Sequence, residues 1–164
     1  MSCFLPPEIL DHIVDHLPNE PTALKKCCLV PKSWIPRTRK YLFAHVEFRA
    51  ERSHFELWKK TFPDPSNSPA HQTRSLLIHG FAAVAVADAE GWIRTFNRIV
   101  HLRLVCHNEV DHQATLIPSH KLSPAIRSLH LDCTYPKVLD LICSFPLLED
   151  LAFDPLTHWD DVDG

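Results

Sequence analysis

Glycine is scarce in this sequence: three residues of 164 are glycine, whereas fourteen are proline. The three glycines, Gly80, Gly91 and Gly164, lie far apart in the chain. Glycine-rich phosphate loops need several glycines close together, because the backbone must approach the phosphate group closely. P-loop and dinucleotide-binding sites of this kind are therefore excluded.

Long apolar runs and a strong excess of charge are also missing. No apolar stretch approaches the roughly 18 residues that a membrane span needs. The first residues show no basic segment followed by an apolar run, so we expect no secretory signal and a reducing compartment. The six cysteines are then expected to be small buried hydrophobic side chains. A net charge of -3 gives no general reason to expect nucleic acid or an acidic membrane as a partner.

The common catalytic and metal-binding motifs are absent as well. The sequence contains no C-x-x-C, no H-E-x-x-H and no G-x-S-x-G. Cys106 lies near His101 and His107, which permits a Cys-His dyad, but a cysteine at the end of a core strand is the better interpretation. We therefore expect no catalytic residue, no metal and no cofactor, and a chain that is not an enzyme.

Residues 1–48 carry apolar side chains at helical spacing, between prolines that mark helix starts and ends. The pattern predicts a first helix that Pro18 stops, a second that starts at Pro21, and a third from about Ser33 to Phe43. The apolar stripe of the first helix consists of Ile9, Leu10, Ile13, Val14 and Leu17. Short helices of this kind are not stable alone, so the three must pack on one another or on a partner. A generic three-helix cap is one interpretation.

The order of residues in this region resembles the F-box family. The matching positions are Leu5, Pro6, Glu8, Ile9, Leu10, Ile13, Leu17, Pro18, Leu24, Cys27, Leu29, Val30, Lys32 and Trp34. Pro31 stands where the family usually has Cys or Ser, and Thr22 stands where an Asp is common.

The resemblance implies helices that dock on a Skp-type adaptor protein, which links to a cullin and a ubiquitin-conjugating enzyme. The residues expected to contact the adaptor are Leu5, Pro6, Ile9, Leu10, Leu17, Leu24, Leu29 and Trp34. Some of these side chains must serve the internal core of the helices instead, and the sequence does not sort them.

Residues 49–72 are predicted to link two parts of the chain. Ser53 and Glu56 form a capping-box pattern that predicts the start of a helix, and the proline-rich stretch 63–69 predicts a loop. Just before this linker, the alternating apolar residues of 43–48 predict a short strand.

Four segments in the second half share the frame of a leucine-rich repeat, L-x-x-L-x-L. Their central leucines follow one another at intervals of 26, 27 and 22 residues; these are Leu76, Leu102, Leu129 and Leu151. Leucine-rich repeats have periods of roughly 20 to 29 residues, and stacking their strands in parallel buries a continuous core. The segments 84–96 and 136–145 look helical and cover the other side of the predicted sheet. An ordinary α/β layer with three or four parallel strands stays open as the alternative.

The strand positions between the core residues point to the opposite, exposed face of the predicted sheet. These positions are Ser75, Leu77, His101, Arg103, Val105, Ser128, His130, Asp132, Asp150, Ala152 and Asp154. Solenoid proteins usually bind their partners on such a face. The residues expected to contact an unknown cargo protein are His101, Arg103, Ser128, His130 and Asp150. A solvated face without a ligand is the alternative.

A solenoid also needs a terminal cap with a polar outer side. The eleven residues after Phe153 are too few for another repeat. We expect this tail to fold over the last strand, with the Trp159 side chain covering the end of the core. The alternative is that the chain is a short form of a longer protein.

The sequence therefore predicts a mixed fold, α+β or α/β with repeats. Its parts are an F-box helical domain at 1–48, a linker helix and Pro-rich loop at 49–72, and a leucine-rich-repeat-like region at 73–164. Through the resemblance, the expected function is that of a substrate-recognition adaptor of an SCF-type (Skp–cullin–F-box) ubiquitin ligase. Similarity to fungal F-box proteins implies a cytoplasmic or nuclear location. The alternative is a non-catalytic scaffold, or a truncated F-box-like protein without a ligase role.

Overall fold

A computed structural model describes residues 6–18, 20–27, 35–49, 54–79, 92–105, 122–132 and 138–154. The expectations for Leu5, Leu29, Trp34, Cys106, Trp159 and the segment 84–91 lie outside these residues. Within the described part of the chain, no helix is both long and apolar enough for a membrane crossing.

Helices precede and flank a set of short strands in the described residues. The helices are α1 (Pro7–Asp15), α2 (Pro21–Cys27), α3 (Ile35–Leu42), α4 (His54–Thr61) and α5 (Val138–Cys143). The strands are β1 (His45–Arg49), β2 (Ser75–His79), β3 (His101–Val105), β4 (Ser128–Asp132) and β5 (Asp150–Phe153). The four strands predicted from the repeated frame are confirmed as β2 to β5, and the strand predicted at 43–48 is confirmed as β1.

The first three helices form a unit that we call the helical module, comprising the described residues of 6–42. Helix α1 has Pro7 in its first turn, where no backbone donor is needed, and Glu8 beside the positive end of the helix dipole. The helix ends at Asp15, before Pro18, which was predicted to stop it. After Asp15, the His16 N–H donates to the Ile13 carbonyl at 3.2 Å, which is the tighter bonding of a turn.

Among the described residues, each helix of the module has a side chain buried in the interior of the module. Val14 of α1, Leu24 of α2 and Thr38 of α3 are all buried. Helices α1 and α2 both pack against α3, which in turn contacts the turn before β2. The third helix is therefore the support of the module and its connection to the rest of the chain.

The strands form one five-stranded parallel sheet in the order β1-β2-β3-β4-β5. Each strand pairs with the next one along the chain, and the central leucines Leu76, Leu102, Leu129 and Leu151 stand in one row. The architecture is therefore mixed α/β with a parallel sheet. The sequence divided the chain at 49–72; the structure pairs β1, which precedes that segment, with β2, which follows it.

The same backbone arrangement opens β2, β3, β4 and β5. The Ala44 carbonyl accepts hydrogen bonds from the N–H groups of both Arg74 and Ser75, at 2.9 and 3.0 Å. The Arg74 carbonyl does the same for the N–H groups of Val100 and His101 at the start of β3, at 2.8 and 3.0 Å. The carbonyls of Val100 and Arg127 repeat the pattern for β4 and β5. A repeated junction of this kind explains why the strands enter the sheet in one register.

One face of the sheet is buried in an apolar core. Its central members are fully buried strand residues, namely Leu76, Ile78, Leu102, Leu104, Leu129 and Leu131. The last strand differs from this pattern, because Leu151 is 39 % exposed and Phe153 is 49 % exposed. The expectation that both belong to the buried core is therefore wrong. In the described part of the chain, the apolar side of the sheet is therefore only partly covered at β5.

Helix α4 closes the core at the opposite edge, beside β1. Phe48 of β1 makes edge-to-face contacts with Phe55 and Trp58 of α4, with ring centroids 5.1 and 5.7 Å apart. Phe96 joins the same cluster at 5.7 Å from Phe48. The helix that the capping box predicts is present, and its aromatic side chains belong to the main core.

The segments between strands contain short turns in addition to helices. The proline-rich stretch predicted as a loop forms two 3-10 turns, Pro65–Asn67 and Pro69–Gln72, which the side chains of Asp64 and Ser68 cap. Another 3-10 turn, Trp92–Thr95, occupies the described end of the segment 84–96, which was predicted as helical. The helix predicted in 136–145 is confirmed as α5.

Candidate functional site

The outward side of the sheet brings the predicted cargo-contacting residues together. We call this surface the sheet face. Its first row, across the five strands, is His45, Ser75, His101, Ser128 and Asp150. Its second row is Glu47, Leu77, Arg103, His130 and Ala152. All five predicted cargo residues lie in these two rows, and the structure therefore places them on one surface.

A network of charged groups lies at the carboxyl end of β3 and β4. Arg103 donates from Nε and Nη2 to Oδ2 of Asp132, at 2.9 and 2.6 Å. Nε2 of His130 lies 2.6 Å from the other oxygen of Asp132 and 3.1 Å from Oδ2 of Asp154. Each carboxylate of the network thus has a basic group beside it.

Two residues predicted on the exposed face are buried instead. Asp132 is only 7 % exposed, because the side chains of Arg103 and His130 contact its carboxylate. Val105 pairs with Asp132 in the register and is also buried. At the last residue of β3 and of β4, the alternation along the strand therefore does not predict whether the side chain is exposed.

Three groups of this network offer ligand atoms that a cation can use. One atom each of His130, Asp132 and Asp154 lies within 4.8 Å of the others. However, the guanidinium of Arg103 is already bonded to Asp132, and its positive charge opposes a second cation there. We therefore interpret the group as an ion-pair network of the protein itself.

A second charged group lies on the sheet face at β1 and β2, and the sequence did not reveal it. Oε1 of Glu47 accepts a hydrogen bond from Arg49 at 2.5 Å and lies 3.1 Å from Nε2 of His79. The Arg49 guanidinium lowers the pKa of Glu47, against a smaller opposing effect of burial. Alternation of Val46 and Phe48 pointed Glu47 outward, but only the pairing of β1 with β2 places it on the sheet face.

The helical module separates the predicted adaptor-contacting residues into inner and outer ones. Pro6 and Ile9 are exposed and Leu17 is half-buried, whereas Leu24 is buried. Leu24 packs in the interior of the module, and its side chain is not available to a partner. The side chain of Leu10 lies outside the described residues, as do Leu5, Leu29 and Trp34.

Helices α1 and α3 are joined by a polar contact that the sequence did not predict. Arg37 donates to both oxygens of Asp15, with Nε at 2.8 Å from Oδ1. The Tyr41 hydroxyl also donates to Oδ1 of Asp15, at 2.6 Å. The hydrogen bonds from Arg37 and Tyr41 hold the pKa of Asp15 well below its usual range. The pKa of Tyr41 is raised in turn, chiefly because its hydroxyl donates to that carboxylate.

Comparisons with protein-family models, with curated proteins and with solved structures give no match to this chain.

Proposed function

We propose that this chain is a substrate-recognition adaptor subunit of an SCF-type ubiquitin ligase. In this proposal the helical module is an F-box that docks on a Skp-type adaptor, and the sheet belongs to a short leucine-rich-repeat-like solenoid. The sheet face binds a cargo protein. The chain itself catalyses nothing and acts by raising the concentration of cargo beside the ubiquitin-conjugating enzyme.

The observation that carries the proposal is the apolar side of α1. Ile9 and Ile13 are one helical turn apart and are 48 % and 41 % exposed. Val14, the next residue, is buried, so α1 already packs inward through a different side. Two exposed isoleucines at this spacing suit a helix that lies in an apolar groove of a partner. Both are among the residues that resemble the F-box family.

The repeated junction between strands supports the solenoid part of the proposal. At the start of each of the strands β2 to β5, two successive N–H groups donate to one carbonyl, that of the residue just before the previous strand. The strands follow one another in the sheet in chain order. Both features are expected of repeats that contact only their neighbours.

The sheet face supports the assignment of cargo binding to the second half. His101, Arg103 and Asp150 are exposed there, and Ser128 donates to Asp150 at 3.2 Å. The face carries both signs of charge in fixed positions, because ion pairs hold its side chains. Such a surface favours a partner with a complementary charge pattern.

The proposal is tested by measuring the affinity of the purified chain for a purified Skp-type adaptor. We expect a one-to-one complex that the double substitution Ile9→Ser/Ile13→Ser weakens by about tenfold or more, because two apolar anchors leave the interface. The matched control is Leu139→Ser, which removes an exposed leucine from α5 in the other half of the chain. Circular dichroism establishes that both variants stay folded. Absence of a complex with the unsubstituted chain contradicts the proposal and leaves the scaffold role.

A further inference from the structure

A cavity lies between α3 and the edge of the sheet at which the strands begin. We call it the junction cavity and define it by Lys40, Tyr41, His71, Gln72, Arg74 and Arg98. Its volume is about 400 Å³, which is at the lower end of the range for small-ligand sites. Because its walls come from the helical module, from the turn before β2 and from the turn before β3, it exists only when these elements are folded together.

The lining of the junction cavity is basic. Lys40, Arg74 and Arg98 contribute three permanent cations, and none of the lining residues is acidic. All three side chains are exposed, and within the described residues neither arginine has an ion pair. Lys40 lies over the ring of Tyr41, at 5.4 Å from its centroid. Two unpaired arginines that border one cavity create a positive potential there.

The carboxylate that contacts the lining residue Tyr41 is already ion-paired. Asp15 is bonded to Arg37 and to the hydroxyl of Tyr41, and Lys40 adds a smaller electrostatic effect on it. The positive charge of Arg74 and Arg98 therefore stays available to a ligand.

Further along the same edge of the sheet, the corresponding arginine has an acidic partner. Arg127 stands before β4, as Arg74 stands before β2, and both hold their positions through the same backbone junction. Arg127, however, forms an ion pair with Glu149, the residue before β5. The absence of a carboxylate beside Arg74 and Arg98 is thus a local feature of the described edge, and Arg127 is a natural control.

A polar atom in the wall also lacks a partner. Oε1 of Gln72 is buried and has no hydrogen bond among the described residues. Rotation of the amide by a half-turn exchanges this oxygen for the NH₂ group, which is a donor. In either orientation of the amide, Gln72 adds no charge to the wall, so the positive charge of the cavity comes from Lys40, Arg74 and Arg98.

We propose that the junction cavity binds a phosphomonoester dianion. Arginine guanidinium groups suit the oxygens of a phosphate, because two parallel N–H groups meet two oxygens. Arg74 and Arg98 supply these groups from two successive strand starts, and Lys40 supplies a third charge from α3. The phosphate is carried either by a small metabolite or by a phosphorylated protein side chain, and the chemistry at the cavity is the same for both.

The proposal is tested on the purified chain alone, with phenyl phosphate as the probe, by calorimetry and by amide shifts in NMR spectra. We expect binding that weakens about tenfold or more in Arg74→Gln and in Arg98→Gln, since each loses charged hydrogen bonds. Arg127→Gln is expected to bind as the unsubstituted chain does. The shifted amides are expected at residues 71–74 and 97–98.

No binding by the unsubstituted chain overturns the proposal, and so does equal weakening in Arg127→Gln. Shifts that persist unchanged in both Arg74→Gln and Arg98→Gln overturn it as well. A phosphoserine peptide and its unphosphorylated form distinguish the two sources: tighter binding of the phosphopeptide than of phenyl phosphate supports a protein side chain, and equal or weaker binding supports a small metabolite. The Skp-type adaptor takes no part in this experiment, so its outcome is independent of the ligase proposal.

Discussion

The helical module and the sheet are stabilised in different ways. Among the described residues, the buried apolar side chains of the module are Val14 of α1 and Leu24 of α2, and a polar contact between Asp15 and Arg37 ties α1 to α3. The sheet rests on a continuous apolar core that extends from β1 to β4 and includes α4. Apolar side chains that the module does not bury, Ile9 and Ile13, stay on its surface. The module therefore offers a partner an apolar side of α1, whereas the sheet buries most of its apolar residues in its own core and exposes Leu151 and Phe153 on its last strand.

The largest loss of stability is expected when a buried leucine of the sheet core is truncated. Leu129 of β4 is fully buried in the core. We expect Leu129→Ala to lower the free energy of unfolding by about 2 to 5 kcal/mol, because it loses apolar burial and leaves a void. Chemical denaturation measures this. Leu57→Ala on α4 is the control, since Leu57 is exposed and its loss is expected to cost less than about 0.5 kcal/mol. Equal losses in both variants contradict the assignment of the core.

A smaller effect is expected from the charged network of the sheet face. Arg103→Gln leaves the buried carboxylate of Asp132 without its guanidinium, which we expect to cost about 1 to 2 kcal/mol. Arg127→Gln breaks an ion pair whose partners are both exposed, and about 0 to 1 kcal/mol is expected there. Denaturation of both variants checks the order of the two losses. The reverse order shows that the Arg103 network does not stabilise the sheet.

The stability of the helical module within the full chain is expected to depend on pH through Asp15. The lowered pKa of Asp15, caused chiefly by Arg37, means that its carboxylate stabilises the fold above the ordinary pKa of an aspartate, about 3.9. This contribution is lost as the pH falls through the lowered pKa, because the folded state must then take up a proton. Asp15→Asn is expected to be less stable than the unsubstituted chain at neutral pH, and the two converge as the pH falls below about 4.

The measurement for this prediction is amide exchange in α1 as a function of pH. Glu56→Gln is the control, because Glu56 forms an ion pair with Lys59 within α4 and lies outside the module. A difference between Asp15→Asn and the unsubstituted chain that stays constant down to strong acid speaks against the Arg37 contact.

The strands were predictable from the sequence because the repeated frame recurs at short intervals. The core rows of Leu76, Leu102 and Leu129 follow directly from alternation along each strand. Alternation failed where neighbouring side chains decide exposure. Asp132 is covered by side chains of two strands, and Leu151 lies on the last strand, where the described residues leave it partly exposed. Neither condition is visible within a single strand.

The contacts that span long distances in the chain were not predictable. Asp15 and Arg37 are 22 residues apart, and each alone looks like a solvated charge on a helix. The pairing of β1 with β2 depends on how α4 folds back over the sheet, which the linker sequence does not specify. The junction cavity likewise appears only when α3 lies beside the start of the sheet.

Hydrogen–deuterium exchange of the chain, alone and with a Skp-type adaptor, tests most directly whether the helical module, and not the sheet, docks on the adaptor. We predict slower exchange in α1, around Ile9 and Ile13, when the adaptor is present, and unchanged exchange in β2, β3 and β4. Slower exchange in the strands without any change in α1, or no complex at all, contradicts the assignment of docking to the helical module.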